Sequence, residues 1–137
     1  VSYYGSVSDA RIPPHPDPRD IPLQQVLEAL VDPVRRSILT QLAHAAADVK
    51  CGGFDLDVST STATHHFKVL REAGLIRQYY VGTSRMNSLR GDEVGQAFPG
   101  LLDAIVAAES GRRGQRRGTV SAATRSGRSA KRTPSVA

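Results

Sequence analysis

The chain has 137 residues, a formal net charge of +5 from 18 Lys and Arg against 13 Asp and Glu, four Tyr, three Phe and no Trp, which suits one modest domain with an aliphatic core. No apolar run approaches the ~20 residues of a membrane-spanning helix, the Pro-rich start does not read as a signal peptide, and a single Cys excludes an internal disulfide and a Cys-rich zinc module while fitting a reducing, cytoplasmic setting. Residues 111–137 carry eight bases and no acid, which leaves residues 1–110 at −3. Any nucleic-acid interface on the body must therefore rest on a local patch rather than on total charge.

Residues 1–19 hold Pro13, Pro14, Pro16 and Pro18 with little apolar periodicity, and are expected to form a flexible arm. The folded domain is expected over residues 20–110. Asp20 is a candidate N-cap for a helix with Leu23, Val26, Leu27 and Leu30 on one face. Asp32-Pro33 is a sharper start signal, because Asp caps and Pro at the first helical position loses an N–H that had no partner. The helix that follows carries Val34, Ile38, Leu39 and Leu42 toward a core. The stretch Asp48 to Asp57, broken by Gly52-Gly53, is poorly written for a helix and is expected to be short or irregular.

Ser59 is the next cap, and Gly74 a C-terminal stop. Between them Ala63, Phe67 and Leu70 mark an apolar face, and Thr60, Ser61, Thr64, His65, Lys68 and Arg71 mark a polar one. Ile76 to Tyr80 and Arg85 to Leu89 read as two strands joined by Val81-Gly82-Thr83-Ser84. Residues 93–109 form the last helical stretch, with a kink or restart at Pro99-Gly100. Residues 111–137, rich in Arg, Gly, Ser, Thr and Ala, cannot bury enough surface to offset chain entropy and are expected to be a flexible basic tail.

This order is the layout of a winged helix-turn-helix: mainly α with a small β-hairpin wing. A helix fits the DNA major groove, and short hydroxyl side chains let its first turn approach base edges closely. Thr60, Ser61, Thr64 and His65 are therefore candidates for base contacts, and Lys68 and Arg71, further along, suit phosphates. In the hairpin, Arg77, Thr83, Ser84 and Arg85 are the candidate wing contacts. An ordinary solvated helix and hairpin is the alternative that periodicity alone leaves open.

Two stretches carry a family resemblance. Leu30-Val31-Asp32-Pro33-Val34-Arg35-Arg36-Ser37-Ile38-Leu39 resembles the "ALADPxRRxIL" opening of the ArsR-type transcriptional repressors. Residues 59–76, Ser-Thr-Ser-Thr-Ala-Thr-His-His-Phe-Lys-Val-Leu-Arg-Glu-Ala-Gly-Leu-Ile, are similar to that family's "SxSTxSHHLKVLREAGLI" recognition segment. The resemblance, which with the ribbon spans roughly 22–107, implies a homodimeric repressor that binds a palindromic double-stranded DNA operator, with the first and last helices at the dimer interface. The corresponding candidates are Val26, Leu27, Leu101, Leu102, Ile105 and Val106. A body of this size buries a limited core, and dimerisation is a natural way to bury more.

The family that the chain resembles includes metal sensors. The Cys-x-Cys pair of the arsenic and cadmium type is reduced to Cys51 alone, and the zinc and nickel type needs Asp and His on the last helix, where this chain offers Asp103 and Glu109 but no His. No metal or other cofactor is expected, and any small-molecule effector is left open. Cys51 is read as a small filler, His15 and His44 as surface or linker residues, and His66 as packed or capping. Neither a phosphate loop nor a nucleophile motif supports an enzyme. A second function class remains: a non-specific nucleoid or nucleic-acid-binding protein driven by the basic tail.

Overall fold

The computed structural model describes residues 11–124, with side chains through residue 112. Among these residues the chain forms α1 (Leu23–Leu30), α2 (Pro33–His44), β1 (Val49–Lys50), α3 (Thr60–Glu72), β2 (Ile76–Val81), β3 (Ser84–Leu89), α4 (Gly91–Ala97) and α5 (Leu101–Thr124), with 3-10 turns at Pro18–Asp20 and Cys51–Gly53.

The helix boundaries follow from capping chemistry. Asp32 Oδ1 accepts from Val34 N at 2.7 Å and Arg35 N at 3.2 Å, with Pro33 at the first helical position. Ser59 Oγ accepts from Thr62 N at 3.2 Å and starts α3. At the other end of α3, Leu75 N donates to Leu70 O and Gly74 N to Arg71 O, both at 3.0 Å. That closure needs a left-handed residue, and Gly74 supplies it at φ +79°. Asp20, expected to cap α1, lies instead inside the 3-10 turn, which Asp17 caps; α1 itself starts after Pro22 without a side-chain cap.

The sheet is antiparallel in the order β1-β3-β2. β2 and β3 pair from Ile76 opposite Leu89 to Val81 opposite Ser84, with Gly82 at φ +62° in the turn. The third strand was not anticipated: Val49 pairs with Asn87 and Lys50 with Met86. The segment expected to be short or irregular thus gives a two-residue strand, a 3-10 turn and an extended run into Ser59. Gln41 holds that run by exchanging two hydrogen bonds of 3.0 Å with the backbone of Asp55, and Phe54 packs on Phe67 with ring centroids 5.3 Å apart.

One core joins all the helices and β2. Val26, Ala29 and Leu30 of α1 meet Ile38, Leu39 and Leu42 of α2, Phe67 and Leu70 of α3, Ile76 of β2, Val94 of α4 and Leu102 of α5. The last helical stretch restarts after Pro99, with Gly100 at φ +79° between α4 and α5.

Two terminal expectations meet a different result. Residues 11–19 of the arm lie against the domain: His15 Nε2 accepts from Gln78 N at 2.9 Å, Pro16 O accepts from Arg90 Nη1 at 2.7 Å, and Pro18 is buried. Proline lowers the entropy lost when an extended segment is held, and here side chains of the domain supply its hydrogen bonds. The α5 backbone continues past residue 110 to Thr124, through a run whose Arg, Gln and Ala are good helix formers. Residues 1–10 and 125–137 of the expected arm and tail lie outside the described residues.

Asp32 gives a test of the capping account. Burial opposes its charge, but the N–H groups of Arg35 and Val34 hold its carboxyl below the ordinary carboxylate value. Its contribution should be complete above that ordinary value and fade as pH falls through the lowered one. Asp32→Ala should cost about 1 kcal/mol of unfolding free energy in urea melts at pH 7, with a smaller difference from wild type in strong acid.

Candidate nucleic-acid interface

Helix α3 is divided lengthwise. Its inner face, Phe67 and Leu70, enters the core, while Thr60, Ser61, Thr64, His65 and Lys68 are all exposed. Positions 61, 64, 65 and 68 fall on one side of the helix by the 3.6-residue period. Thr64 Oγ1 donates to Thr60 O at 2.9 Å, which fixes the hydroxyl proton and leaves the oxygen's lone pairs facing outward as acceptors. The structure therefore brings together the small hydroxyl groups, an imidazole and a lysine on one open helix face.

His66 faces the other way, as expected. It is 7% exposed, and Arg35 Nη1 lies 3.0 Å from its Nδ1. A guanidinium can only donate, so Nδ1 is the acceptor and the ring proton belongs on Nε2. Burial, with Arg35 and His65 adding to it and Asp32 opposing, holds its pKa below the usual histidine value. His66 is a packing group that ties α3 to Arg35 of α2.

Two candidate cations do not reach the open face. Arg71 is 5% exposed and donates to Gln78 Oε1 at 2.6 Å. Burial first, and Arg85 next, lower its pKa. The helix turn carries position 71 under the wing, where Gln78 and Asn87 form a buried polar group. Gln78 Nε2 donates to Asn87 Oδ1 at 2.9 Å, and Asn87 Nδ2 donates to Val49 O at 3.1 Å and to Cys51 Sγ at 3.3 Å. Arg77 points to α4 and pairs with Glu93 at 3.0 Å, a carboxylate that also takes two bonds from Arg90 at 2.8 Å. Both guanidinium groups are thus engaged by partners within the fold, which one-dimensional charge counting could not have supplied.

On the wing, Thr83 is exposed and Ser84 and Arg85 are half-buried. The Arg85 Cζ lies 5.4 Å from the Tyr80 ring centroid. The same ring carries Arg11 at 4.0 Å, and Arg11 Nη1 donates to Gly82 O at 3.0 Å. Arg11 was assigned no role from sequence, since nothing in a non-periodic arm signals where it docks.

The expected dimer residues also divide. Val26 is fully buried and Leu102 is 6% exposed, so both serve the core. Leu101, Ile105 and Val106 are half-buried against the core. Leu27 is open at 45%, and it stands between Leu23 at 51%, which was expected on the same face as Val26 and Leu30, and Val31 at 73%, which was given no role. Their spacing of four was the available signal; the inward row Val26, Ala29, Leu30 masked it.

The comparisons with known proteins fit this architecture. Residues 32–78, from the Asp32 cap through β2's Gln78, match the family described as "Bacterial regulatory protein, arsR family". The chain is 34% identical over 83 residues to the "Uncharacterized HTH-type transcriptional regulator YceK" of Bacillus subtilis (strain 168), a match that takes in 59% of this chain and 83% of that protein. The chain belongs to the ArsR family. It is accordingly a DNA-binding transcriptional regulator with a winged helix-turn-helix fold and not an enzyme. Solved structures similar to it include an ArsR-like transcriptional regulator from Rhodococcus sp. RHA1, at 26% identity and TM-score 0.48 over 74% of this chain and 91% of that one. Another ArsR family transcriptional regulator matches at 20% identity and TM-score 0.47 over 68% of this chain and 87% of that one.

In this ArsR-family chain no group of three or more His, Cys, Asp or Glu side chains lies close enough to hold a metal ion among the described residues. No described helix is long and apolar enough to cross a membrane.

His15 provides a test of the arm's attachment. Burial first, then the charges of Arg77, Arg90 and Arg71, with Glu93 opposing, lower its pKa to about 4. The folded state therefore holds it neutral as an acceptor for Gln78 N. A histidine with a depressed folded pKa stabilises fully above its unfolded value of 6.5 and loses that contribution as pH falls from 6.5 toward 4. The melting temperature should fall over that window, and His15→Gln should flatten the fall.

Proposed function

We propose that this ArsR-family protein is a cytoplasmic repressor that binds a palindromic operator as a homodimer. The observation that carries the reading is the open face of α3, where Ser61, Thr64, His65 and Lys68 stand together above a face sunk in the core. Thr60, Ser61, Thr64 and His65 are assigned to base edges in the major groove, Lys68 to a phosphate, and Thr83, Ser84 and Arg85 to the backbone beside the wing.

A second copy of the chain is assigned to the outer face of α1. Leu23, Leu27 and Val31 expose an apolar row, and the α5 residues Leu101, Ile105 and Val106 are only half covered. Covering such a row is favourable at about 25 cal/mol for each Å² removed from water. A two-fold pair would present two α3 helices to half-sites about one DNA turn, ~34–36 Å, apart.

Selection from a random DNA pool with the full chain tests this directly. Recovery of a palindrome supports it; equal retention of all sequences favours the alternative, a non-specific binder driven by its basic C-terminal segment. Ser61→Glu should remove operator preference while the circular dichroism stays unchanged, since one lost base contact costs about 1–3 kcal/mol and a carboxylate adds repulsion. Leu27→Glu should raise the dimer dissociation constant at least tenfold, about 1.4 kcal/mol, by analytical ultracentrifugation. A wild-type monomer at micromolar concentration would contradict the dimer.

A further inference from the structure

We propose that Gln78 and Arg71 are positioning residues for sequence recognition: their buried hydrogen bond sets the tilt of the wing against helix α3. The inference rests on the DNA-binding reading above and adds what neither open face supplies, the geometry that joins them.

The wing leaves α3 by a tight turn. Gly74, at φ +79°, lies between the end of α3 at Glu72 and the start of β2 at Ile76. A single covalent connection fixes where a ribbon begins but not how it is tilted. Tilt needs a second attachment further along the strand. On β2, Ile76 lies in the core, Gln78 is 2% exposed, and Tyr79 to Val81 are half-buried or exposed. Gln78 is therefore the last buried position of β2 before the hairpin tip.

Gln78 is held from several sides. Its Oε1 accepts from Arg71 Nη1 at 2.6 Å, a bond that spans the Gly74 turn from the last turn of α3 to the strand. Its Nε2 donates to Asn87 Oδ1 at 2.9 Å, on the strand that pairs with β2. Its backbone N donates to His15 Nε2 at 2.9 Å, so the N-terminal arm holds the same residue. Arg71 is 5% exposed and Asn87 fully buried. In so dry a setting a lost partner is not replaced cheaply by water, so the bonds favour one arrangement over its neighbours.

The leverage of this point is large. Gln78 stands four positions before Gly82, roughly 13 Å at about 3.3 Å per residue. Tilting the ribbon by about 20° at Gln78 would carry the tip roughly 4–5 Å, well beyond what a hydrogen bond tolerates. Thr83, Ser84 and Arg85 would then lose the phosphates assigned to them while α3 stays in the groove. Backbone contacts carry no sequence information, but they fix the register in which a helix meets base edges. Operator binding needs helix and wing in one register, whereas random duplex demands none. The tie therefore acts on discrimination more than on general affinity.

The full chain, Gln78→Met, Gln78→Glu and the double variant Arg71→Met with Gln78→Met would be titrated by fluorescence anisotropy with operator from the random-pool selection and with random duplex, alongside thermal melts. Gln78→Met should lower the operator-to-random affinity ratio roughly tenfold and should melt lower, because Arg71 loses its acceptor. Gln78→Glu keeps an acceptor for Arg71 and should hold the ratio within about threefold of wild type. The double variant removes the buried cation together with its acceptor, so its melting temperature should return toward wild type. Its ratio should stay low, and it carries the test where Gln78→Met does not fold.

A ratio that recovers together with the melting temperature in the double variant would make the bond a matter of stability alone and overturn the proposal. An unchanged ratio in folded Gln78→Met, or an equal loss in Gln78→Glu, would overturn it as well. A wild-type chain that prefers no duplex would instead overturn the operator-binding reading, and this inference with it.

Discussion

The arrangement depends on two adjacent arginines at the start of α2. Helix α1 has only eight residues, too few to be stable alone, and its last carbonyls point at the turn into α2. Arg35 donates to Ala29 O at 2.7 Å and Glu28 O at 3.1 Å, and Arg36 donates to Leu30 O and Val31 O, both at 2.9 Å. Four successive carbonyls are thus satisfied by two cations, at the helix end where positive charge is favoured. The same side chains continue outward: Arg35 reaches His66 on α3, and Arg36 pairs with Glu109 on α5 at 2.6 Å. The turn at Asp32-Pro33 therefore fixes where α1, α3 and α5 stand relative to α2. Hydrogen bonds to charged groups are worth about 1.5–3 kcal/mol each, so losing either guanidinium would loosen several elements at once.

A second polar assembly fixes the wing relative to α3. Arg71, Gln78 and Asn87 are buried, and each finds partners within the group or on β1 and Cys51. In a low-dielectric setting such a network is strong when its members are paired and costly when they are not. It converts a cation at the end of the recognition helix into a brace for the sheet. The two-residue strand β1 belongs to the same assembly, since Asn87 both pairs with Val49 in the ladder and donates to its carbonyl. Tyr79 adds a hydroxyl bond to Asp48 just before that strand.

Much of this was legible from residue pattern because local rules decide it. The Asp32 and Ser59 caps, the Gly74 stop, the hairpin and the restart after Pro99 each follow from the chemistry of one or two side chains. The open face of α3 was legible from the 3.6-residue period together with Ser59 as the cap. What escaped needed three dimensions. Arg71 lies at the edge of the polar face by sequence, and only the position of β2 turns it inward. Val26 and Leu27 are neighbours in sequence but point about 100° apart on a helix, so one enters the core while the other stays open. The arm docks through single side chains, His15, Pro18 and Arg11, whose partners lie over 50 residues away; such contacts leave no periodic trace.

The distribution of charge then has a consequence for how such a protein reads DNA. Of the bases between Ser59 and Arg90, Arg71 braces the sheet, and Arg77 and Arg90 share Glu93. Each has a partner inside the fold. The body retains a net charge of −3 over residues 1–110, so long-range attraction from the domain itself is weak beyond a Debye length of about 8 Å in physiological salt. The open α3 face correspondingly offers mostly uncharged groups, the hydroxyls of Thr60, Ser61 and Thr64, with a single lysine at its far end. Short hydroxyls gain little from DNA's overall charge and depend on fitting particular donor and acceptor patterns in the groove. Committing cations internally thus leaves the domain with few cations at its surface and with an α3 face that is mostly uncharged.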